Sequence, residues 1–320
     1  MSENDWRKFS KPVKAHQKDL RLDAFLSEQY RFFSRTQWKK QIQSGRVRIN
    51  GKLILNGSYK IKELDVIENF YPESEEPSVN GDDLQVLWNE GGVAAVLKPA
   101  GLPMHEHGRF HQNTFLNRLK SLLGMNWSFV HRLDFETSGV VLCAETSVLR
   151  AKLAEQFESR TIKKEYLCIM RGVLNDQVSW LSTQAIAPSA NGPVRRKRVI
   201  SEQGQHCETY FRILAKMSDQ MLVRARLYSG RTHQIRLHAA HKGHPLLGEK
   251  KHIEDESIFI EFCENGCSDR VVQASGSRFL FLHAWKLQFC SPFSGRAVRV
   301  CAPLPEHWRE HLSGQSLMSP

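Results

Sequence analysis

The chain has 320 residues, 41% hydrophobic and 25% charged, with a formal net charge of +11 and a pI of about 9.4. These proportions exclude wholesale disorder, are typical of a soluble globular protein, and predict one large domain with a smaller one. The excess of Lys and Arg indicates a polyanionic partner. Nucleic acid is the first candidate and an anionic membrane surface is the second.

Several simple features limit the alternatives. No apolar run reaches the roughly 18–20 residues of a membrane span, and the first residues lack the apolar core of a signal peptide. The seven cysteines include no Cys-x-x-Cys pair, and the closest couple is Cys263 and Cys267. We therefore expect reduced thiols, no metal, no cofactor and no membrane association, in a cytoplasmic monomer.

The N-terminal part of the chain predicts an arm and a small α/β domain. Residues 1–18 are polar and basic, and we expect a flexible arm. In residues 19–70, apolar residues recur at helical spacing after Asp19, a predicted N-cap, and a second helix is predicted over residues 35–43. A hairpin is predicted from strands at residues 47–49 and 52–55 and a turn at Asn50-Gly51.

This small domain is strongly basic. Arg35, Lys39 and Lys40 share its second predicted helix, so one face can bind phosphates by charge neutralisation. Within residues 21–51, the patterns Arg-Leu-Asp-x-x-Leu, Ser-Arg and Ile-x-x-Gly-x-Val-x-Ile-Asn-Gly resemble the RNA-binding module of ribosomal small-subunit protein S4. The resemblance implies that these three cations contact RNA. The alternative is a solvated helix face without a ligand.

The rest of the chain predicts a linker, a large domain and a short tail. Residues 71–83 combine Pro, Ser, Gly and acidic residues and predict the linker, before a domain at residues 84–312 and a tail at residues 313–320. Helices predicted at residues 113–123 and 147–158 do not alternate regularly with strands. This order predicts an α+β fold with a mixed, largely antiparallel sheet. The predicted strands cover residues 93–97, 140–144, 166–170, 209–214, 221–227 and 279–289.

One polar segment joins two apolar runs and predicts a functional loop beside the sheet. It is His-Arg-Leu-Asp-Phe-Glu-Thr-Ser-Gly at residues 131–139. Alone, its Asp134 beside an arginine is more often structural than catalytic. Other polar segments that adjoin predicted strands strengthen the interpretation as a site. They are Lys-Pro-Ala-Gly-Leu-Pro-Met-His at residues 98–105, Lys-Glu-Tyr at residues 164–166 and Gly-Arg-Thr-His-Gln-Ile-Arg-Leu-His at residues 230–238.

Together these segments resemble the RluA family of RNA pseudouridine synthases, which modify uridines in large-subunit ribosomal RNA and some transfer RNAs. The likeness runs from about residue 84 to residue 305. It implies a catalytic domain with a central cleft that isomerises uridine in RNA. Ribosomal RNA is favoured because a large folded target offers the small domain a second contact, and transfer RNA is the alternative substrate. The alternative function is a catalytically silent RNA-binding or ribosome-assembly factor.

The resemblance also implies the catalytic residues. Asp134 matches the essential aspartate, and Tyr166 matches the tyrosine that packs against the target base. Arg236 matches the basic residue that pairs with the aspartate, where its charge would favour the ionised carboxylate. An aspartate near C1′ can attack the sugar or remove a ribose proton, and the sequence leaves both roles open.

Further residues are expected to contact the RNA. The target atoms of a stacked uridine are inaccessible, so the nucleotide must leave the helix. Arg132 matches the arginine that fills the vacated space, since a guanidinium plane stacks well on bases. His131 and Arg231 lie in the motifs and are expected to bind RNA, with a structural role as the alternative for Arg231.

The chain departs from the family pattern in places. The family usually reads Gly-Asp-x-x-Tyr where residues 248–252 read Gly-Glu-Lys-Lys-His, and residues 254–270 look like an acidic surface insertion. We expect these departures to affect specificity more than activity. A cluster of histidines follows Arg231, but it lacks an acidic neighbour, so we interpret it as helix-surface or RNA-contacting and not as a metal site. These histidines are His233, His238, His241 and His244.

Overall fold

The computed structural model describes residues 6–30, 35–72, 76, 79, 83–106, 110–189 and 197–313. The chain divides into two compact units. Unit 1 comprises Met1–Ser78 and His107–Gln112, and unit 2 comprises Val79–Glu106 and Asn113–Pro320. Most of the predicted linker and nearly all of the predicted tail lie outside the described residues.

Unit 1 is a small α/β domain. Trp38 and Ile42, four residues apart on one helix, are fully buried and face apolar residues of the other helix. The helices are α1 (Leu22–Gln29) and α2 (Arg35–Gln43), and the strands are β1 (Trp6–Pro12), β2 (Val47–Ile49), β3 (Lys52–Leu53) and β4 (Val66–Pro72). The strands form an antiparallel sheet in the order β1-β4-β2-β3.

The prediction of a flexible arm at residues 1–18 is wrong for the described part of that segment. Residues 6–12 form β1, which pairs with β4 so that Trp6 lies opposite Pro72 and Pro12 lies opposite Val66. The backbone N–H and C=O groups of this segment therefore form hydrogen bonds with β4. The basic composition had suggested that they would face water. The same pairing places Pro72, expected in the linker, at the end of a strand.

The remaining predictions for unit 1 hold with small corrections. The helix over residues 35–43 is confirmed. The turn is confirmed too, since Asn50 and Gly51 have φ of 52° and 77°, as a type I′ hairpin turn requires. The N-cap of α1 is Arg21 and not Asp19, which has a φ of 66°. The return strand ends at Leu53.

Unit 2 contains a mixed sheet and helices around it. Its helices are α3 (Phe115–Leu123), α4 (Ser147–Glu158), α5 (Gln234–His241), α6 (Glu256–Asn265), α7 (Asp269–Ser275) and α8 (Glu306–Ser313). Its strands are β5 (Gln85–Glu90), β6 (Val93–Lys98), β7 (Ser128–Phe129), β8 (Ser138–Ala144), β9 (Lys163–Arg171), β10 (Ser179–Ser182), β11 (Ile186–Pro188), β12 (Arg198–Ile200), β13 (Thr209–Lys216), β14 (Gln220–Leu227), β15 (Leu282–Cys290) and β16 (Ala297–Cys301).

The large sheet confirms the predicted α+β class. Its strands run β10-β13-β14-β9-β15-β8-β6-β5, with β16 beside β15 and β7 beside β8, while β11 and β12 form a separate hairpin. The pair β15–β8 is parallel, and the other pairs are antiparallel. Every residue of β8 is buried, as expected for a continuous apolar run in mid-sheet.

One glycine allows the parallel junction that positions the 131–139 loop. Gly139 has a φ of 122°, and a Cβ there would lie 2.3 Å from the carbonyl oxygen of Ala284. A side chain at this position would therefore push β8 away from β15. Gly139, the last residue of the segment at residues 131–139, is thus required for the contact between β8 and β15.

The predicted helices are confirmed, and their caps explain the boundaries. Thr114 accepts a hydrogen bond from the amide of Asn117 at the start of α3, so this helix begins two residues later than predicted. Thr146 caps α4 in the same way, and α4 covers the predicted residues 147–158. The acidic segment at residues 254–270 contains α6 and the start of α7. None of the helices within the described ranges is long and apolar enough to cross a bilayer.

Candidate active site

The structure brings Asp134 and Arg236 together, although they lie on different elements. Asp134 lies in the loop before β8, and Arg236 lies in the first turn of α5. The guanidinium Nη1 donates to Asp134 Oδ2 over 3.2 Å. The carboxylate side chain is 27% exposed and the arginine side chain only 5%, so a substrate can reach the acid while its partner stays buried.

A second carboxylate fixes the arginine. Glu249, which is fully buried, accepts hydrogen bonds of 2.6 Å from both Nε and Nη2 of Arg236. Burial would raise the pKa of Glu249, but the adjacent guanidinium outweighs burial and lowers it. Burial likewise opposes the charge of Arg236, yet Glu249 and Asp134 raise its pKa. The guanidinium group of Arg236 is therefore held in one rotamer with Nη1 directed at Asp134.

Two histidines lie near Asp134, the first beside the carboxylate and the second beside the first. His233 Nδ1 lies 2.8 Å from His252 Nε2, and His233 Nε2 lies 3.7 Å from Asp134 Oδ2. Burial lowers the pKa of His233 to about 4 and that of His252 to about 2. Both rings are therefore neutral near pH 7, and the contact with Asp134 is polar and not ionic. His233 has a φ of 59° at the N-cap of α5, an unusual conformation that is common at functional sites.

Lys98 holds the loop at residues 131–139 to the sheet. Its fully buried ammonium donates to the carbonyl oxygens of Pro99, Phe135 and Thr137 over 2.9, 3.1 and 2.9 Å. Burial lowers the pKa of Lys98 to about 7, and the charge of Asp134 acts in the opposite direction. The bonds to Phe135 and Thr137 fix the loop backbone immediately after Asp134.

A second buried ion pair anchors the same loop. Lys250 Nζ lies 2.6 Å from Glu136 Oε1, and the lysine side chain is fully buried. Burial raises the pKa of Glu136, while Lys250 and Arg236 act to lower it. The loop at residues 131–139 is thus tied to the segment at residues 248–252 as well as to β6.

Tyr166 provides an apolar surface on β9. It is partly buried and packs against two hydrophobic clusters of the sheet. Burial raises its pKa, and the negative charge of Asp134 raises it further. The hydroxyl therefore stays protonated at neutral pH, and the ring can pack against a base.

The predicted RNA-binding residues of unit 2 differ in their surroundings. The side chains of Arg132 and Arg231 are exposed. His131, by contrast, accepts a hydrogen bond at Nε2 from the amide of Leu142 over 3.0 Å. Burial lowers its pKa to about 3, so it is a neutral acceptor. This bond gives His131 a structural task, and its contact with RNA stays a prediction.

In unit 1 the predicted RNA-binding residues lie on α2. Lys39 and Lys40 are exposed. Arg35 is 55% exposed and its Nε lies 3.1 Å from Asp23 Oδ1. Asp23 also pairs with Arg21, so the acid holds two guanidinium groups at the helix surface.

Sequence reasoning missed part of the site. Glu249 lies where the family usually has aspartate and was expected to affect specificity, but it is the main partner of Arg236. His238 is not on the surface: it is fully buried, with Nδ1 2.9 Å from Thr209 Oγ1 and Nε2 3.0 Å from the Gln184 carbonyl oxygen. The available sequence signal for Glu249 was that Gly-Glu stands at residues 248–249, where the family usually has Gly-Asp. No sequence pattern indicated that α5 would be buried.

Comparisons with known proteins agree with an enzyme that acts on RNA. A family model described as RNA pseudouridylate synthase matches residues 92–241, and a model of the S4 domain matches residues 20–67. An uncharacterized RNA pseudouridine synthase of Bacillus subtilis, YlyB, is 30% identical over 304 residues, covering 92% of this chain and 93% of that one. The chain therefore belongs to the family of RNA pseudouridine synthases, which isomerise uridine in RNA.

Two further similarities extend this result. Ribosomal large subunit pseudouridine synthase D of Xylella fastidiosa is 31% identical over 292 residues, covering 89% of this chain and 86% of that one. The solved structure of human RNA pseudouridylate synthase domain containing 1 superposes with a TM-score of 0.59 at 23% identity, covering 77% of this chain and 92% of that chain. The latter likeness supports the fold.

Proposed function

We propose that the protein converts specific uridines of large-subunit ribosomal RNA to pseudouridine, with Asp134 as the reacting carboxylate. The observation that carries this proposal is the 3.2 Å pair between Asp134 and Arg236, whose guanidinium is itself held by Glu249. A partly exposed carboxylate that accepts a hydrogen bond from a fixed, buried guanidinium is held in one orientation when a substrate displaces water.

The reaction follows from these groups. The target nucleotide leaves its helix, Arg132 fills the gap, and Tyr166 packs against the uracil. Asp134 then attacks C1′ or removes a ribose proton, and the N1–C1′ bond breaks. The base turns and C5 bonds to C1′. On the first route this displaces the Asp134 carboxylate from C1′, and on the second the abstracted proton returns to the ribose. C5 then loses its proton and N1 gains one, which restores the ring. The reaction is an isomerisation without net oxidation.

Large-subunit ribosomal RNA is the favoured substrate for two reasons. Similar proteins include one named ribosomal large subunit pseudouridine synthase D. The S4 domain adds a second group of exposed cations, which a large folded RNA can contact in addition to the modified base. A cytoplasmic location follows from a ribosomal substrate.

The test compares cells that lack the gene with cells complemented by the wild type or by Asp134→Asn. Pseudouridines are mapped in total RNA by mass-tagged sequencing. We expect at least one large-subunit position to lose its modification and regain it only with the wild type. A lost position in transfer RNA would replace the proposed substrate, and an unchanged map with retained RNA binding would favour a catalytically silent assembly factor.

A further inference from the structure

The sheet of unit 2 has a second face that the active site does not use. Side chains alternate along a strand, so Tyr166 and Glu165 of β9 point to opposite faces. On the Glu165 face, Leu167 and Ile169 pack under Trp308 of α8. Toward the other end of β9 this face is open, and a groove lies there.

This groove is lined by charged and polar side chains. It has a volume of about 320 Å³, and its lining includes five cations, one carboxylate and one amide. The strand register explains the cluster, because Arg226 lies opposite Glu165, which lies opposite Lys286. The lining residues are Lys163, Glu165, Arg224, Arg226, Lys286, Gln288 and Arg299.

Most of the positive charge in the groove is not neutralised by the protein. Glu165 lies 4.0 Å from Lys286. Among the residues that the structure describes, Arg224, Arg226 and Arg299 form no ion pair within 4.0 Å. Arg224 and Arg226 are two apart on one strand and therefore share a face. Such a concentration of like charge is unfavourable until an anion occupies it.

The surroundings extend the groove. Arg212 of β13 lies opposite Arg224 and adds another cation on the same face. At the edge, the guanidinium of Arg226 lies 5.2 Å from the ring centre of Tyr228, which is 41% exposed. Cations beside an exposed aromatic ring are typical of surfaces that bind nucleic acid.

We propose that this groove binds the sugar–phosphate backbone of an RNA segment other than the one whose uridine enters the active site. The choice of RNA as ligand rests on the proposed function. The groove lies on the sheet face opposite Tyr166, so a second segment of a folded RNA must reach it. The seven described residues that line the groove are all charged or polar, whereas the centre of a protein interface is typically apolar, and guanidinium groups match phosphates.

The test compares Arg224→Gln/Arg226→Gln with Lys152→Gln/Arg296→Gln, a control that removes two exposed cations of unit 2 outside the groove. Binding to a long folded large-subunit RNA fragment is measured against salt concentration. We expect the groove variant to bind about tenfold more weakly at 0.15 M salt, with the slope of log K against log salt reduced by about two. Its pseudouridine yield on a short stem-loop that carries the target uridine should equal that of the control.

Other outcomes distinguish the possible failures. If the groove variant binds long RNA with the same affinity and slope as the control, the proposal is overturned. Loss of polyglutamate binding with unchanged RNA binding would overturn it in favour of an acidic protein partner. Arg299→Glu, at an exposed position, repeats the test if the double variant does not fold. The binding measurement needs no turnover. If the wild type makes no pseudouridine, but the groove variant still binds RNA more weakly than the control, the proposed function is refuted and the groove proposal is supported.

Discussion

The buried cation of the candidate active site and the cations of α2 are held in opposite ways. Arg236 is 5% exposed and contacts two carboxylates, whereas Lys39 and Lys40 lie exposed on a helix of the S4 domain. The first arrangement fixes one geometry at the expense of desolvation. The second keeps charge available to a polyanion that approaches from water. We therefore expect substitutions in the active site to change rate and stability, and substitutions on α2 to change salt-dependent affinity.

The largest expected effect is that of Asp134→Asn on catalysis. The amide can neither attack C1′ nor remove a proton, so activity should fall by about 10⁴-fold or more, or roughly 5.5 kcal/mol in the barrier. Single-turnover release of the C5 proton from a uridine labelled there would measure it.

The same variant separates chemistry from binding. Asp134→Asn should retain RNA affinity within about twofold, since α2 and the groove are unchanged. A variant with full activity would show that another carboxylate carries the reaction.

Next in size is the effect of removing the second partner of Arg236. In Glu249→Gln the buried guanidinium loses its fully buried carboxylate partner and keeps only the partly exposed Asp134, so the free energy of unfolding should fall by about 3–5 kcal/mol. Chemical denaturation measures this loss. Glu249→Asp, the residue usual in the family, keeps the charge and should lose less. Equal losses for the two variants would show that side-chain length matters there more than charge.

The role of Glu249 shows where sequence reasoning stopped. Asp134, Tyr166 and Arg236 could be predicted as site residues because each lies in an ordered motif of the family. Glu249 is a departure from such a motif, and its partner on α5 becomes visible only when the chain folds back over the helix. Lys98 was noted as part of a polar segment, but a lysine that donates to three carbonyl groups has no distinctive sequence pattern.

The fold was predictable where local signals agree with packing. The helix at residues 147–158 and the hairpin at Asn50-Gly51 follow from periodicity, caps and turn chemistry. The strand at residues 6–12 was missed because its basic composition indicates solvent, whereas its structure depends on a partner strand some sixty residues away. Pairing over such a separation leaves little trace in local sequence.

A third prediction concerns stability in acid. The expected loss in the free energy of unfolding for each histidine is smaller than that for Glu249→Gln. The pKa of His131 is held at about 3 and that of His252 at about 2, below the ordinary value near 6.5. The unfolded chain therefore binds more protons than the folded chain below pH 6.5, and stability present above that pH is lost as the pH falls. Each histidine should cost at most about 2 kcal/mol at pH 5.

The measurement is the melting temperature between pH 7 and pH 4.5. His131→Gln should melt lower at pH 7, because the ring packs against Phe157, but its melting temperature should fall less steeply with acid. A parallel decline of wild type and variant would show that His131 is not the group that titrates.

The smallest expected effect is that of removing the exposed cations of α2. Lys39→Gln/Lys40→Gln should weaken RNA binding by about three- to tenfold at 0.15 M salt and reduce the salt slope by about two, because each solvated cation neutralises about one phosphate. Thermal stability should change little, since exposed charges contribute little to folding. Lys60→Gln/Lys62→Gln removes the same charge from exposed positions of the same domain and should leave the slope near that of the wild type. If both variants lose the same affinity, only the net charge of the S4 domain matters, and α2 is not a distinct RNA-binding face.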